Sequence, residues 1–117
     1  MEFTVEFYET SSGRCSVLEF LDELKESNDD DFAAVMAGLS KLKNRHYHRQ
    51  PLSKSIGDDL FELRHVGKLN SRILYFFVKG KRIIVLHGIR NKAKKIALKD
   101  RKVALGRKHD WLERNLV

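Results

Sequence analysis

The sequence predicts an α+β fold, a small antiparallel-rich β-sheet carrying an N-terminal helical hairpin and a C-terminal helix. Three observations predict it. A short apolar alternation opens the chain, two stretches of helical periodicity follow before Pro51, and three β-branched and aromatic runs then lie close together ahead of a last helical stretch. Strands grouped after helices, without strict alternation, indicate helices packed on a sheet rather than a doubly wound fold.

Each element has its own grounds. Phe3, Val5 and Phe7 alternate with Thr4, Glu6 and Tyr8, the period of a half-buried strand. Ser16 to Glu19 reads as a capping box, followed by Val17, Leu18, Phe20, Leu21 and Leu24 at helical spacing, with Ser27-Asn28 ending the helix. Asp29 to Asp31 suit the positive end of a second helix. Phe32, Val35, Met36, Leu39 and Leu42 give that helix its apolar stripe. Pro51 closes the hairpin, and Lys54 to Asp59 reads as a loop. Leu60 to Val66, Arg72 to Val78 and Arg82 to His87 read as strands, joined across Gly67 to Ser71 and by a tight turn at Lys79-Gly80-Lys81. From Ala93 the helical pattern returns, with Ile96, Ala97, Val103, Ala104, Trp111 and Leu112 for its apolar face and Gly106 weakening its middle.

The 117 residues, with no internal repeat or linker, are the length of one domain, taken as residues 1–117. The net charge of +7 is unevenly spread. Residues 1–35 carry ten acids and two bases, whereas residues 79–117 carry thirteen bases and three acids. A uniformly solvated surface mixes its signs, so the basic C-terminal part points to a polyanion such as nucleic acid. The single cysteine, Cys15, excludes an internal disulfide and a C-x-x-C site. The longest apolar runs, Leu74 to Val78 and Ile83 to Leu86, fall far short of the roughly 20 residues that span a bilayer. With no basic leader region in residues 1–9, a cytoplasmic protein without membrane contact is expected.

The chain carries no Gly-rich phosphate loop and no G-x-S-x-G elbow. His46-Tyr47-His48 offers two imidazoles, but His65, His87 and His109 complete no known ligand spacing, so neither a metal nor any other cofactor is expected. What remains is a polar set inside the sheet. Alternation puts Glu62 and Arg64 on one strand face, opposite Phe61, Leu63 and His65, and Arg72 on the opposite parity from Tyr75. Glu62 and Arg64 are placed to pair there. His87, Arg90, Lys92, Lys94 and Lys95 follow the last strand. Such a cluster has the parts for metal-independent RNA cleavage: a base for the 2′-hydroxyl, cations for the charged phosphorane and an acid for the 5′-oxygen.

Leu60-Phe-Glu-Leu-Arg64, Ser71-Arg-Ile-Leu-Tyr-Phe-Phe77, the Lys-Gly-Lys turn and Ile84-Val-Leu-His-Gly-Ile-Arg-Asn-Lys92 together resemble the phage-derived Gp49-like, HigB-type branch of the RelE/ParE toxin superfamily. The resemblance implies a RelE-like fold and the toxin of a type II toxin–antitoxin system. The implied activity is ribosome-dependent mRNA cleavage by 2′-hydroxyl attack, which leaves a 2′,3′-cyclic phosphate and inhibits translation. It makes Arg64 and Arg72 the phosphate and transition-state contacts and His87 the acid or base, with Lys92 or Lys95 sharing that role. Tyr75, Arg90, Lys94, Lys99 and Arg101 are the expected RNA contacts. Asn91 departs from a lysine common in the family, and Ala97 from a proline that often opens the last helix. The implied partners are a cognate helix-turn-helix antitoxin and mRNA on the ribosome, with operator DNA reached only through the antitoxin complex. Two other readings share the fold or the charge: a ParE-like gyrase inhibitor, and a plain nucleic-acid-binding module without catalysis.

Overall fold

A computed structural model describes residues 2–64, 71–90 and 95–115. In chain order the elements are β1 (Thr4–Phe7), α1 (Ser16–Ser27), α2 (Asp29–Lys41), a single 3-10 turn (Arg45–Tyr47), β2 (Ser53–Gly57), β3 (Leu60–Arg64), β4 (Ser71–Val78), β5 (Arg82–Arg90) and α3 (Leu98–Asn115). The predicted α+β class holds. Five strands form one sheet in the order β1-β5-β4-β3-β2, antiparallel except for the parallel pairing of β1 with β5.

Three expectations need correction. Lys54 to Asp59 is not a loop, because β2 pairs with β3 through a two-residue turn at Asp58 and Asp59, both at φ 56°. Left-handed backbone at both central positions is the geometry of a tight hairpin, and Asp tolerates it better than most residues. The polar Lys54 and Ser55 hid the strand because β2 is an edge with little to bury. The capping box is also absent. Cys15 precedes α1 without a side-chain cap, and Glu19 instead receives two 2.9 Å hydrogen bonds from the Arg14 guanidinium. The acidic start of α2 is as expected, with the Asn28 side chain accepting from the Asp31 backbone N–H at 3.1 Å. Met36 leaves the apolar stripe of α2 and faces solvent.

The sheet separates two cores. On one face, α1 and α2 bring Val17, Leu21, Leu24, Val35 and Leu39 against Leu63, Ile73, Tyr75, Ile83 and Val85. On the other, α3 brings Ala104 and Trp111 against Leu60, Leu74, Phe76, Ile84 and Leu86. Strand alternation assigns these faces, with one irregularity. Leu74 pairs with His87 and Tyr75 with Val85, so Leu86 is an extra residue in β5. This bulge lets Leu86 and His87 both face α3. The next residue, Gly88, returns to the α1 side, where a Cβ would lie 2.4 Å from the Phe20 ring.

Candidate active site on the α3 face

The bulge delivers His87 to the first turns of α3. Its Nε2 lies 2.9 Å from Asp100 Oδ1, and its Nδ1 lies 3.2 Å from Arg107 Nη1. A guanidinium has only donors, so Nδ1 accepts and the ring proton sits on Nε2, directed at the carboxylate. The same Arg107 nitrogen donates to Leu86 O at 2.8 Å, which fixes it over the bulge. Burial lowers the Arg107 pKa from its ordinary value. Asp100 stands in the first turn of α3, where the helix dipole favours a negative charge. The imidazole is therefore oriented from both sides and keeps 18% of its side-chain surface open.

On the same face of the sheet, Lys54, Glu62, Arg64, Lys95 and Arg101 line a cleft of about 300 Å³ that His87 itself does not line. Glu62 and Arg64 share the α3 face, as their parity predicts, and Arg64 is exposed. Arg72 pairs with Arg64 in register and faces the same side, but it is only 1% exposed. It offers no surface to a phosphate, which corrects its expected role as a direct contact. Arg101 is committed to Asp58 Oδ2 at 2.9 Å, so one end of the cleft is pinned to the β2–β3 turn. Lys95, ahead of α3, and Lys99, in its first turn, are exposed.

Tyr75 and Arg90 are not brought to this face. Tyr75 is completely buried among Phe61, Phe77 and the α1/α2 core. Burial pushes its phenol up to about 12, with Ser53 offsetting part of the rise, and its hydroxyl has no hydrogen-bond partner in normal geometry among the described residues. An expected RNA contact is thus a core residue. Arg90 points to α1, donating to Ser27 Oγ at 2.6 Å and lying 3.7 Å from Glu23. Lys92 and Lys94, with Asn91 and His65, lie outside the described residues. Among the described residues no three of His, Cys, Asp and Glu cluster as metal ligands, and no helix is long and apolar enough to cross a membrane. His48 packs between Phe3 and Phe77 and bonds Leu42 O at 2.5 Å.

Residues 19–109, from α1 through most of α3, match the family model of phage-derived Gp49-like proteins (DUF891). The chain belongs to the Gp49-like family. This family is part of the RelE/HigB-type toxin superfamily, and membership is consistent with the toxin of a toxin–antitoxin pair. Comparison with curated proteins gives no match. Within the matched region of this Gp49-like chain, sequence reading found Arg64, His87 and Lys95 but passed over Asp100 and Arg107. A signal for Asp100 was present: it is one of three acids among thirteen bases in residues 79–117, set between Lys99 and Arg101. An acid at the start of a basic helix suits the positive end of the helix dipole and is placed to meet a group packed against that turn. For Arg107 no such mark exists, because its position over the bulge depends on an extra residue in β5.

Proposed function

We propose that this Gp49-like protein is the toxin of a type II toxin–antitoxin pair and a metal-independent endoribonuclease that cuts mRNA on the ribosome. One observation carries the reading: the β5 bulge puts an imidazole, oriented by Asp100 and Arg107, on the same sheet face as the exposed cations Arg64 and Lys95.

The 2′-oxygen of the substrate attacks the adjacent phosphorus while the P–O5′ bond breaks in line. Products are a 2′,3′-cyclic phosphate and a free 5′-hydroxyl, with the 2′-hydroxyl proton passing to a base and another proton reaching the 5′-oxygen. His87 holds one of those two roles, and Asp100 positions it. Since both ring nitrogens are engaged, one contact opens when the phosphate arrives. Arg64 meets the phosphate directly, and Arg72 adds positive charge from beneath it, where low dielectric strengthens the field. Lys95, together with Lys92, supplies or relays the second proton. Lys94, Lys99 and Arg101 continue the electrostatic track for the strand. The cognate antitoxin, carrying the helix-turn-helix that contacts operator DNA, would cover this basic side, and the cytoplasm is the compartment in which such a pair acts.

The test is induction of the chain alone in a bacterial host, with primer extension on a translated mRNA and a matched untranslated copy. Growth arrest with cuts confined to the translated copy is the expected result. Arrest with intact mRNA would remove the nuclease reading and turn attention to gyrase, assayed by DNA supercoiling. Cuts equal in both copies would remove the ribosome dependence, and steeply salt-dependent RNA binding without cleavage would leave a binding module.

A further inference from the structure

A second basic concavity lies outside the cleft on the α3 face. The end of α2, the 3-10 turn and the segment leading into β2 enclose a groove of about 610 Å³, a volume within the usual range for a ligand site. Lys41, Arg49 and Arg64 supply its charge, His46 a further polar ring, Tyr47 its aromatic surface, and Pro51 with Leu52 its apolar floor. No carboxylate is among the described residues that line it. The local structure holds these groups in place. Asn44 Oδ1 accepts from the His46 backbone N–H at 2.9 Å, and the Tyr47 carbonyl accepts from Ser53 Oγ at 2.8 Å. Arg49 Nη2 donates to His46 Nδ1 at 3.2 Å, and the Lys41 ammonium sits 5.6 Å from the Tyr47 ring centre.

Arg64 lines both this groove and the α3-face cleft. It stands at the end of β3, so a nucleic-acid strand leaving the α3-face cleft past Arg64 enters the groove without crossing an acidic surface residue that lines either concavity, Glu62 being buried. Cations for a backbone beside an aromatic face for a base is the chemistry that holds single-stranded nucleic acid without reading its sequence.

We propose that the groove formed by Lys41, His46, Tyr47, Arg49 and Arg64 is a binding subsite for single-stranded RNA, taking a nucleobase against Tyr47 and flanking phosphates on Lys41 and Arg49. The choice of RNA rests on the ribonuclease reading above; the site itself rests on the groove. An acidic protein segment with apolar side chains is the competing occupant, and the test below separates the two.

The probe is a short unstructured RNA, 2′-O-methylated throughout so that it cannot be cut, with binding by the full chain followed by fluorescence anisotropy. Lys41→Glu with Arg49→Glu, both at exposed positions, is expected to weaken binding at least tenfold and to flatten the dependence of log K on log salt by about 1.4, the value for two lost phosphate contacts on a single strand. Lys79→Glu, at an exposed position that lines neither concavity, reverses one charge against two and is expected to lower log K by well under half as much. Tyr47→Phe keeps the π-face and binds as wild type, whereas Tyr47→Ala loses affinity. The proposal is overturned if the double variant binds like Lys79→Glu, if Tyr47→Ala binds like Tyr47→Phe, or if the wild-type chain binds only an acidic peptide. Because no cleavage is read, groove-dependent binding by a chain that cuts no mRNA would sink the nuclease reading and leave this one standing.

Discussion

The two faces of the sheet are held by different physics. Against α1 and α2 the packing is almost wholly apolar, with Leu24, Leu42, Ile83 and Val85 fully buried. Against α3 the packing is mixed: Trp111 meets Phe76 edge-on at 5.7 Å and Ala104 is buried, with polar bridges between and beyond them. Of the described residues in α3, only Ala104 and Trp111 are buried. The helix is held largely by polar bridges: Asp100 to His87, Arg107 to Leu86 O, Lys108 to Asp58 O, and Asp110 to the Tyr8 hydroxyl at 2.7 Å. The contrast shows where chemistry is possible. A face closed by aliphatic contacts is stable and inert; a face closed by ion pairs and hydrogen bonds can exchange one of them for a substrate group.

That contrast can be broken or sharpened by substitution. On the α1/α2 face, Leu24→Ala empties a fully buried site and is expected to cost about 2 to 5 kcal/mol by urea unfolding. A loss below about 1 kcal/mol would show that this face is looser than its burial says. Gly88→Ala forces a methyl group into the Phe20 ring, and overpacking of this kind costs about 1 to 3 kcal/mol. Asp100→Ala, on the other face, removes one hydrogen-bond partner of His87 and is expected to cost about 1 kcal/mol in stability. Hydrogen exchange should find the amides of α3 opening before those of β4 and β5, since polar bridges at a helix surface yield before a buried ladder. Equal protection would contradict the division between the faces.

The smallest effect concerns pH. Glu6 receives two hydrogen bonds from the Arg82 guanidinium, at 2.7 and 2.8 Å, and that cation holds its carboxyl below the ordinary value of 4.5. A carboxylate whose pKa is depressed by folding stabilises the fold above its unfolded value, and that stabilisation disappears as pH falls through the folded one. Both side chains are 38% exposed, so Glu6→Gln is expected to cost about 0.5 kcal/mol at neutral pH and nothing once the carboxyl is protonated. Denaturant midpoints of the two proteins should therefore converge as pH falls below the ordinary carboxylate value and through the lowered folded one. A gap that stays constant with pH would assign the effect to packing against Trp111, over which the same guanidinium sits at 5.2 Å.

Most of the fold was legible because its signals are local. Alternation in Phe3 to Tyr8 and Leu60 to Arg64, the acids opening α2, and the Lys79-Gly80-Lys81 turn all act within a few residues. What escaped is non-local or weakly amphipathic. β2 shows no apolar alternation, since an edge strand has little to bury, and α1 starts without a side-chain cap because Cys15 rather than Ser16 stands at its N-cap, while Arg14 takes Glu19. Site residues divide in the same way. Parity alone put Glu62 and Arg64 on one face and set Tyr75 against Arg72, yet it could not show that Arg72 is enclosed and Tyr75 is core. An extra residue at Leu86 set the partners of His87, and a bulge leaves no mark in composition or period.

The central claim is that the α3 face, not the α1/α2 face, is the reactive one. His87→Ala and Tyr75→Phe remove one polar group from each, and each is compared with wild type by primer extension on a translated mRNA after induction, with folding checked by circular dichroism. His87→Ala is expected to lower cleavage by about 10²- to 10⁴-fold, the usual contribution of a positioned acid or base, while Tyr75→Phe cleaves as wild type. Wild-type cleavage by a folded His87→Ala, or its loss in a folded Tyr75→Phe, would contradict the account.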